Sequence, residues 1–155
     1  MRDQLSQSIK DAMKSGDKRR LATLRLISAA IKDRDIAAQV DSAGQPSGRD
    51  KISEAEELQL LQKMVKQRRE AAETYRKAGR QDLAEQELAE IAIIEEFLPR
   101  QLNEEETRAA VEQVVRELDC AGLKDMGRAM AALKERYSGR MDFGKASGIV
   151  KELLK

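Results

Sequence analysis

Residues 53–99 read SEAEELQLLQKMVKQRREAAETYRKAGRQDLAEQELAEIAIIEEFLP, and this stretch decides the fold. Ser53 followed three residues later by Glu56 is a capping box, in which the serine oxygen takes one free backbone N–H and the glutamate returns to another. The helix it opens is predicted to run to Ala78, with Leu58, Leu61, Met64, Val65, Ala72 and Tyr75 inward. It stops at Gly79, a residue that tolerates the left-handed C-cap conformation. Asp82 and Glu85 are expected to cap the next helix, whose apolar face is Leu83, Leu88, Ile91, Ala92, Ile94 and Leu98 until Pro99 closes it. So short a turn makes the two helices antiparallel neighbours. Their charges agree: residues 63–80 hold seven basic groups and two acids, whereas residues 82–96 hold six acids and no base. Lys63, Lys66, Arg68, Arg69, Arg76, Lys77 and Arg80 could form an RNA-binding stripe. Local neutralisation by the acidic helix is the stronger reading, although each exposed pair stabilises by only about 0–1 kcal/mol.

Upstream, Leu5, Ile9, Ala12 and Met13 form the stripe of a surface helix over residues 3–14 that Ser15-Gly16 ends. Asp17 starts a longer helix from Lys18 to about Ala38, with Leu21, Leu24, Ile27, Ala30 and Ile31 on one face and Arg20, Arg25, Lys32 and Arg34 around it. Residues 41–48, DSAGQPSG, read as a flexible surface loop.

Downstream of Pro99, Asn103 with Glu106 is a second capping box, and Glu104, Glu105 and Glu106 sit well at the positive end of a helix dipole. That helix buries Ala110, Val111, Val114, Val115 and Leu118 and ends near Gly122. Asp125 is expected to cap another, carrying Met126, Met130, Leu133 and Tyr137, which Ser138-Gly139 ends. Asp142 opens the last, with Phe143, Ala146, Ile149, Val150 and Leu153 on one side. Three helices this short need one another to be stable. The expected fold is therefore all-α: an N-terminal helical domain over residues 1–98 with long antiparallel helices, a linker at 99–102, and a C-terminal three-helix module at 103–155.

Composition supports helices and narrows the chemistry. Of 155 residues, 37% are charged and only 3% aromatic, and no run alternates apolar with polar residues over a strand's length. Lysines and arginines number 29 against 28 acids, so charge arguments must be local. There is no histidine, which removes His-based metal sites, Ser-His-Asp triads and Cys-His pairs. No phosphate-binding glycine loop is present. Carboxylates and lysines are too numerous for one pair to stand out as acid and base, and no catalytic residue, metal or cofactor is expected. Cys120, the one cysteine, is expected to be partly buried near a helix end. The start, Met1-Arg2-Asp3-Gln4, lacks the apolar run of a signal peptide, and no stretch approaches the roughly 20 apolar residues of a membrane span. A cytoplasmic protein without a membrane partner is expected.

The last 36 residues carry eight basic groups against four acids, while residues 103–119 carry six acids against two bases. A module of this kind can turn one side to a nucleic-acid backbone, where each neutralised phosphate adds affinity through counterion release. On composition alone a solvated face is the favoured reading, since no aromatic side chains are interleaved to stack on bases. Gly127, near a helix start, and Gly148, inside the last helix, each cost about 1 kcal/mol relative to alanine. Either two helices cross closely there, the favoured explanation, or a partner's backbone approaches.

Lys124-Asp125-Met126-Gly127-Arg128-Ala129-Met130, then Gly139-Arg140-Met141-Asp142-Phe143-Gly144-Lys145 and Val150-Lys151-Glu152-Leu153-Leu154, resembles the C-terminal module of the GatB/YqeY family. Upstream, Leu24-Arg25-Leu26-Ile27, Lys66-Gln67-Arg68-Arg69 and Glu95-Glu96-Phe97-Leu98-Pro99-Arg100-Gln101-Leu102 extend the resemblance over essentially the whole chain. The family's module is similar to the tail of the B subunit of glutamine-dependent tRNA amidotransferase, which contacts transfer RNA. The resemblance implies a tRNA-binding or amidotransferase-associated accessory role, with stand-alone members grouped by homology with carbon–nitrogen ligases that use glutamine as amido donor. The amidotransferase's ATP-dependent site and glutaminase lie elsewhere, so it implies no catalysis by this chain. Lys124, Arg128, Arg140 and Lys145 are the expected phosphate contacts, with Gly127 and Gly139 allowing close approach. Partners would be tRNA and an amidotransferase or other translation-related protein, and no DNA is expected. Gly148 departs from the pattern, where a larger polar residue is implied. A protein-interaction adaptor without an RNA role is the alternative, motivated by the near-zero net charge and long amphipathic helices.

Overall fold

The computed structural model describes residues 1–155 and is all-α, 74% helical with seven helices and no strand. Contacts divide the chain into two compact units, Met1–Leu98 and Pro99–Lys155.

The first unit holds α1 (Arg2–Ser15), α2 (Lys18–Ala38), α3 (Glu54–Lys77) and α4 (Gln81–Glu95). The capping box at the start of α3 is made in both directions: the Glu56 N–H donates to Ser53 Oγ at 3.2 Å, and Glu56 Oε1 accepts from the Ser53 N–H at 3.1 Å. Gly79, at φ 74°, turns the chain so that α4 runs back along α3, and α2 packs on α1, α3 and α4. Leu24, Ile27, Leu61 and Ile94 are fully buried where these helices meet. Two cross-helix ion pairs join α3 to α4, Arg68–Glu90 at 2.9 Å and Arg69–Glu95 at 3.3 Å. Arg76, Lys77 and Arg80 pair locally instead, with Glu73, Glu73 and Asp82.

Three local expectations differ. Neither Asp82 nor Glu85 caps α4, which starts at Gln81 with no side-chain cap, because Asp82 already lies inside the first turn. Leu88, Ala92 and, in α1, Met13 are exposed rather than inward. Ala92 follows the buried Ile91 by one residue, a rotation of about 100°, which turns it off the line of contact with α3. Residues 41–48 are a hydrogen-bonded turn rather than a loose loop. Asp41 Oδ1 accepts from the Ala43 and Gln45 N–H groups at 2.9 Å, the Ser47 N–H donates to the Gln39 carbonyl at 2.8 Å, and Val40 bridges Pro46.

A charged network closes this unit. Asp35 on α2 accepts both terminal guanidinium nitrogens of Arg2 at 2.8 Å and the Ile52 N–H at 2.8 Å. Hydrogen bonds from Arg2, and then from the Ile52 amide, hold its carboxyl at about 2. Arg2 Nε lies 3.2 Å from Oε2 of the buried Glu57 on α3. That oxygen makes no directional hydrogen bond, so the contact is an ion pair by proximity alone.

The second unit holds α5 (Glu104–Glu117), a 3₁₀ turn at Leu123–Asp125, α6 (Met126–Arg136) and α7 (Phe143–Leu154). Asn103 and Glu106 make their capping box as read. The helix ends earlier than expected, because Asp119, at φ 52°, turns the chain. Each helix packs on the other two around Val111, Val114, Leu133, Met141 and Val150. Cys120 is half-buried against this core. Residues 99–102, expected as a linker, are built into the unit. The Leu102 N–H donates to the Arg140 carbonyl at 2.8 Å, Gln101 Nε2 donates to the Gly139 carbonyl at 2.6 Å, and Leu102 packs on the core. No sequence-local signal announces this, since the partners lie some forty residues away.

Candidate nucleic-acid interface

The second unit presents its candidate residues in the order in which its helices begin and end. Lys124 lies in the 3₁₀ turn, exposed and without an ion-pair partner. Gly127 and Arg128 occupy the first turn of α6, both exposed, and the Arg128 guanidinium donates to Asp125 Oδ1 at 3.1 Å. Asp125 does not cap α6. Its other oxygen accepts the Ala121 N–H at 2.8 Å, which shapes the entry turn and, with Arg128, holds its carboxyl below the usual range. Lys145 stands exposed in the first turn of α7, whose cap is Asp142, accepting from the Gly144 N–H at 3.0 Å and the Lys145 N–H at 3.2 Å.

Gly139 and Arg140 serve the fold. Gly139 is buried at φ 76°, and its carbonyl is occupied by Gln101, so it offers no surface for close approach. Arg140 is half-buried. Its Nε donates to the Arg100 carbonyl at 3.2 Å, and its own carbonyl takes Leu102. The expected set is thus divided along α6, since at 1.5 Å rise per residue Arg128 is separated from Arg136 at the far end by about 12 Å.

The helix faces supply what the linear motif left out. On α6, Gly127, Ala131 and Lys134 are exposed at i, i+4 and i+7; on α7, Gly144, Gly148 and Lys151 repeat the same spacing, and Lys155 is exposed just past its end. Lys134, Lys151 and Lys155 have no ion-pair partner, whereas Arg108 and Arg136 are held by Glu152 at 3.5 Å and Glu117 at 2.6 Å. A side chain added at Gly127 or Gly148 would meet nothing within 4 Å, so no helix crossing accounts for either glycine. Each leaves backbone open to solvent beside a free lysine. Lys134 and Lys151 are among the eight basic groups counted in the last 36 residues, and the 3.6-residue period is what sets them on these faces.

The family model described as Yqey-like protein matches residues 2–154. An uncharacterised protein of Schizosaccharomyces pombe is 30% identical over 95 residues, which is 61% of this chain and 69% of that protein. A protein of Lachancea thermotolerans named altered inheritance of mitochondria protein 41, mitochondrial, is 34% identical over 94 residues, and its namesake in Eremothecium gossypii is 31% identical over the same length. These matches span 61% of this chain and 46% of each of the two namesakes, under half their length. No helix is long and apolar enough to cross a membrane.

Proposed function

The chain belongs to the Yqey-like protein family, and from that premise we propose that it is an accessory protein that holds transfer RNA through its C-terminal unit, in association with an amidotransferase. The observation that carries this reading is the set of exposed lysines without ion-pair partners, Lys124, Lys134, Lys145 and Lys151, beside helical backbone left bare at Gly127 and Gly148. Ammonium groups free of carboxylates can release counterions from phosphates, and glycine lets a sugar–phosphate chain approach the helix. With no aromatic platform among these groups, recognition is of backbone and shape rather than of bases. The chain contributes binding rather than bond-making, and the carbon–nitrogen ligase grouping enters through the enzyme it accompanies. A cytoplasmic location belongs to this proposal; the two namesake relatives are named as mitochondrial proteins.

Binding of labelled tRNA to the full chain tests it. The quadruple variant Lys124→Glu, Lys134→Glu, Lys145→Glu, Lys151→Glu is expected to lose at least tenfold in affinity at low salt while keeping its helical circular dichroism. Equal binding by the folded variant and the wild type refutes the assignment.

A further inference from the structure

Helix α2 has a second apolar face that the fold does not cover. Leu24, Ile27 and Ile31 are buried on one side. On the opposite side Ala22, Leu26, Ala29 and Ile36 are exposed, spaced by four, three and seven residues, with Leu26 at 48% and Ile36 at 64% exposure. Asp33 takes the intervening position, and Val40, at 50%, extends the line past the end of the helix. At 1.5 Å per residue the row from Ala22 to Ile36 is about 21 Å long, enough for four turns of a partner helix.

One border of this row is cationic. Lys18, Arg25 and Lys32 follow one another at seven-residue intervals, which sets them along one edge. All three are exposed and none has an ion-pair partner, whereas Arg68 and Arg69 on α3 are paired with Glu90 and Glu95 on α4. Near the C-terminal end of α2, on the flank opposite the cationic border, a cavity of about 230 Å³ is lined by Arg34, Ala37, Ala38, Arg49, Ile52 and Glu56. Of its two guanidinium groups, Arg49 is paired with Glu56 and Arg34 is unpaired.

We infer that the outward face of α2 is a docking site for an amphipathic helix of another protein that carries acidic side chains beside its apolar row. The four-three spacing is that of a helix seam, in which side chains of one helix seat between those of its partner. Glutamates along the partner's edge face Lys18, Arg25 and Lys32. A second copy of this chain does not fit. Two α2 faces packed antiparallel oppose the cationic edge to itself, and packed parallel they oppose it to the flank of Ala30 and Ala37, which carries no charge. A nucleic acid would engage the cations but leave Leu26 and Ile36 against a charged backbone. This surface lies in the first unit and is independent of the RNA-holding role proposed for the second.

The test uses the isotope-labelled full chain and two synthetic 21-residue helical peptides, identical except that glutamates in one are lysines in the other. The acidic peptide is expected to shift amides of residues 18–40 and the basic one not. Lys18→Glu, Arg25→Glu, Lys32→Glu together, and Leu26→Gln separately, should each lower affinity for the acidic peptide by at least about tenfold, the equivalent of 1.4 kcal/mol. All these positions are exposed, and retained helicity confirms each variant is folded. The inference is overturned if the two peptides bind alike, if the shifts fall elsewhere, or if the triple variant binds unchanged. It is equally overturned if phosphatidylglycerol vesicles or tRNA, but not the acidic peptide, shift residues 18–40, or if Leu26→Gln instead dissociates a dimer of the chain.

Discussion

Replacing Asp35 by asparagine removes one charge from the point where α1, α2 and the segment entering α3 are tied together. The side chain is 15% exposed and accepts three hydrogen bonds of 2.8 Å, two from Arg2 and one from the Ile52 N–H. Its carboxyl, held at about 2 against an ordinary 3.8, sets an upper bound of roughly 2.5 kcal/mol on the charge-specific stabilisation at neutral pH, at 1.36 kcal/mol per pKa unit. Arg2 is one-third exposed, so solvent screening reduces this to about 1–2 kcal/mol. The sign is fixed by linkage: the folded pKa is depressed, so the contribution is complete above about pH 4 and fades as pH falls toward 2. At pH 3 about half remains. Tyr75 reports on the first unit and Tyr137 on the second, so urea unfolding followed by tyrosine fluorescence in a Tyr137→Phe background isolates the relevant transition. Asp35→Asn should lower stability at pH 7 by about 1–2 kcal/mol, with the gap near half that at pH 3. A difference below about 0.3 kcal/mol at pH 7, or one that does not shrink on acidification, refutes the reasoning.

Four further outcomes follow from local geometry. Gly148→Ala is expected to stabilise the second unit by about 0.5–1 kcal/mol in urea unfolding, since the position is helical and an added methyl meets nothing within 4 Å; if bare backbone there admits RNA, the same change weakens tRNA binding. Gly79→Ala should destabilise the first unit by about 1–2 kcal/mol in the same assay, because the space is open but φ is 74°. Asn103→Ala should cost the second unit about 1 kcal/mol by removing the acceptor for the Glu106 N–H at 2.8 Å. The Glu106 carboxyl, held down to about 2 by Arg100 and then by the Asn103 N–H, adds stability that is present above its ordinary 4.5 and lost as pH falls toward 2, so acid titration should unfold this unit earlier in Arg100→Ala.

What the sequence disclosed was local. The two capping boxes span three residues each, and their hydrogen bonds depend on little beyond the turn they start, so Ser53–Glu56 and Asn103–Glu106 were legible. Gly79 was legible because its conformation is its own. Asp125 was misread because the competing donor, the Ala121 N–H, becomes available only when the chain after α5 bends at Asp119. The Arg2–Asp35 pair joins residues 33 positions apart, and no periodicity connects them. At the candidate interface, residue type identified Lys124, Arg128 and Lys145, but whether a cation is free is a tertiary property: Arg140 and Gly139 were drawn inward by residues 100–102. The outer face of α2 was hidden for a related reason. Both of its faces are apolar, and the core-facing one accounted for the pattern.

The central claim is that the second unit holds the phosphate backbone of tRNA through unpaired lysines. Measuring tRNA affinity of the full chain against salt concentration tests it most directly. With about four phosphates engaged by Lys124, Lys134, Lys145 and Lys151, log affinity should fall against log salt with a slope near −3, and each single charge removal should flatten that slope by about 0.7–0.9. A slope near zero, or one unchanged in Lys124→Gln and Lys145→Gln, contradicts it.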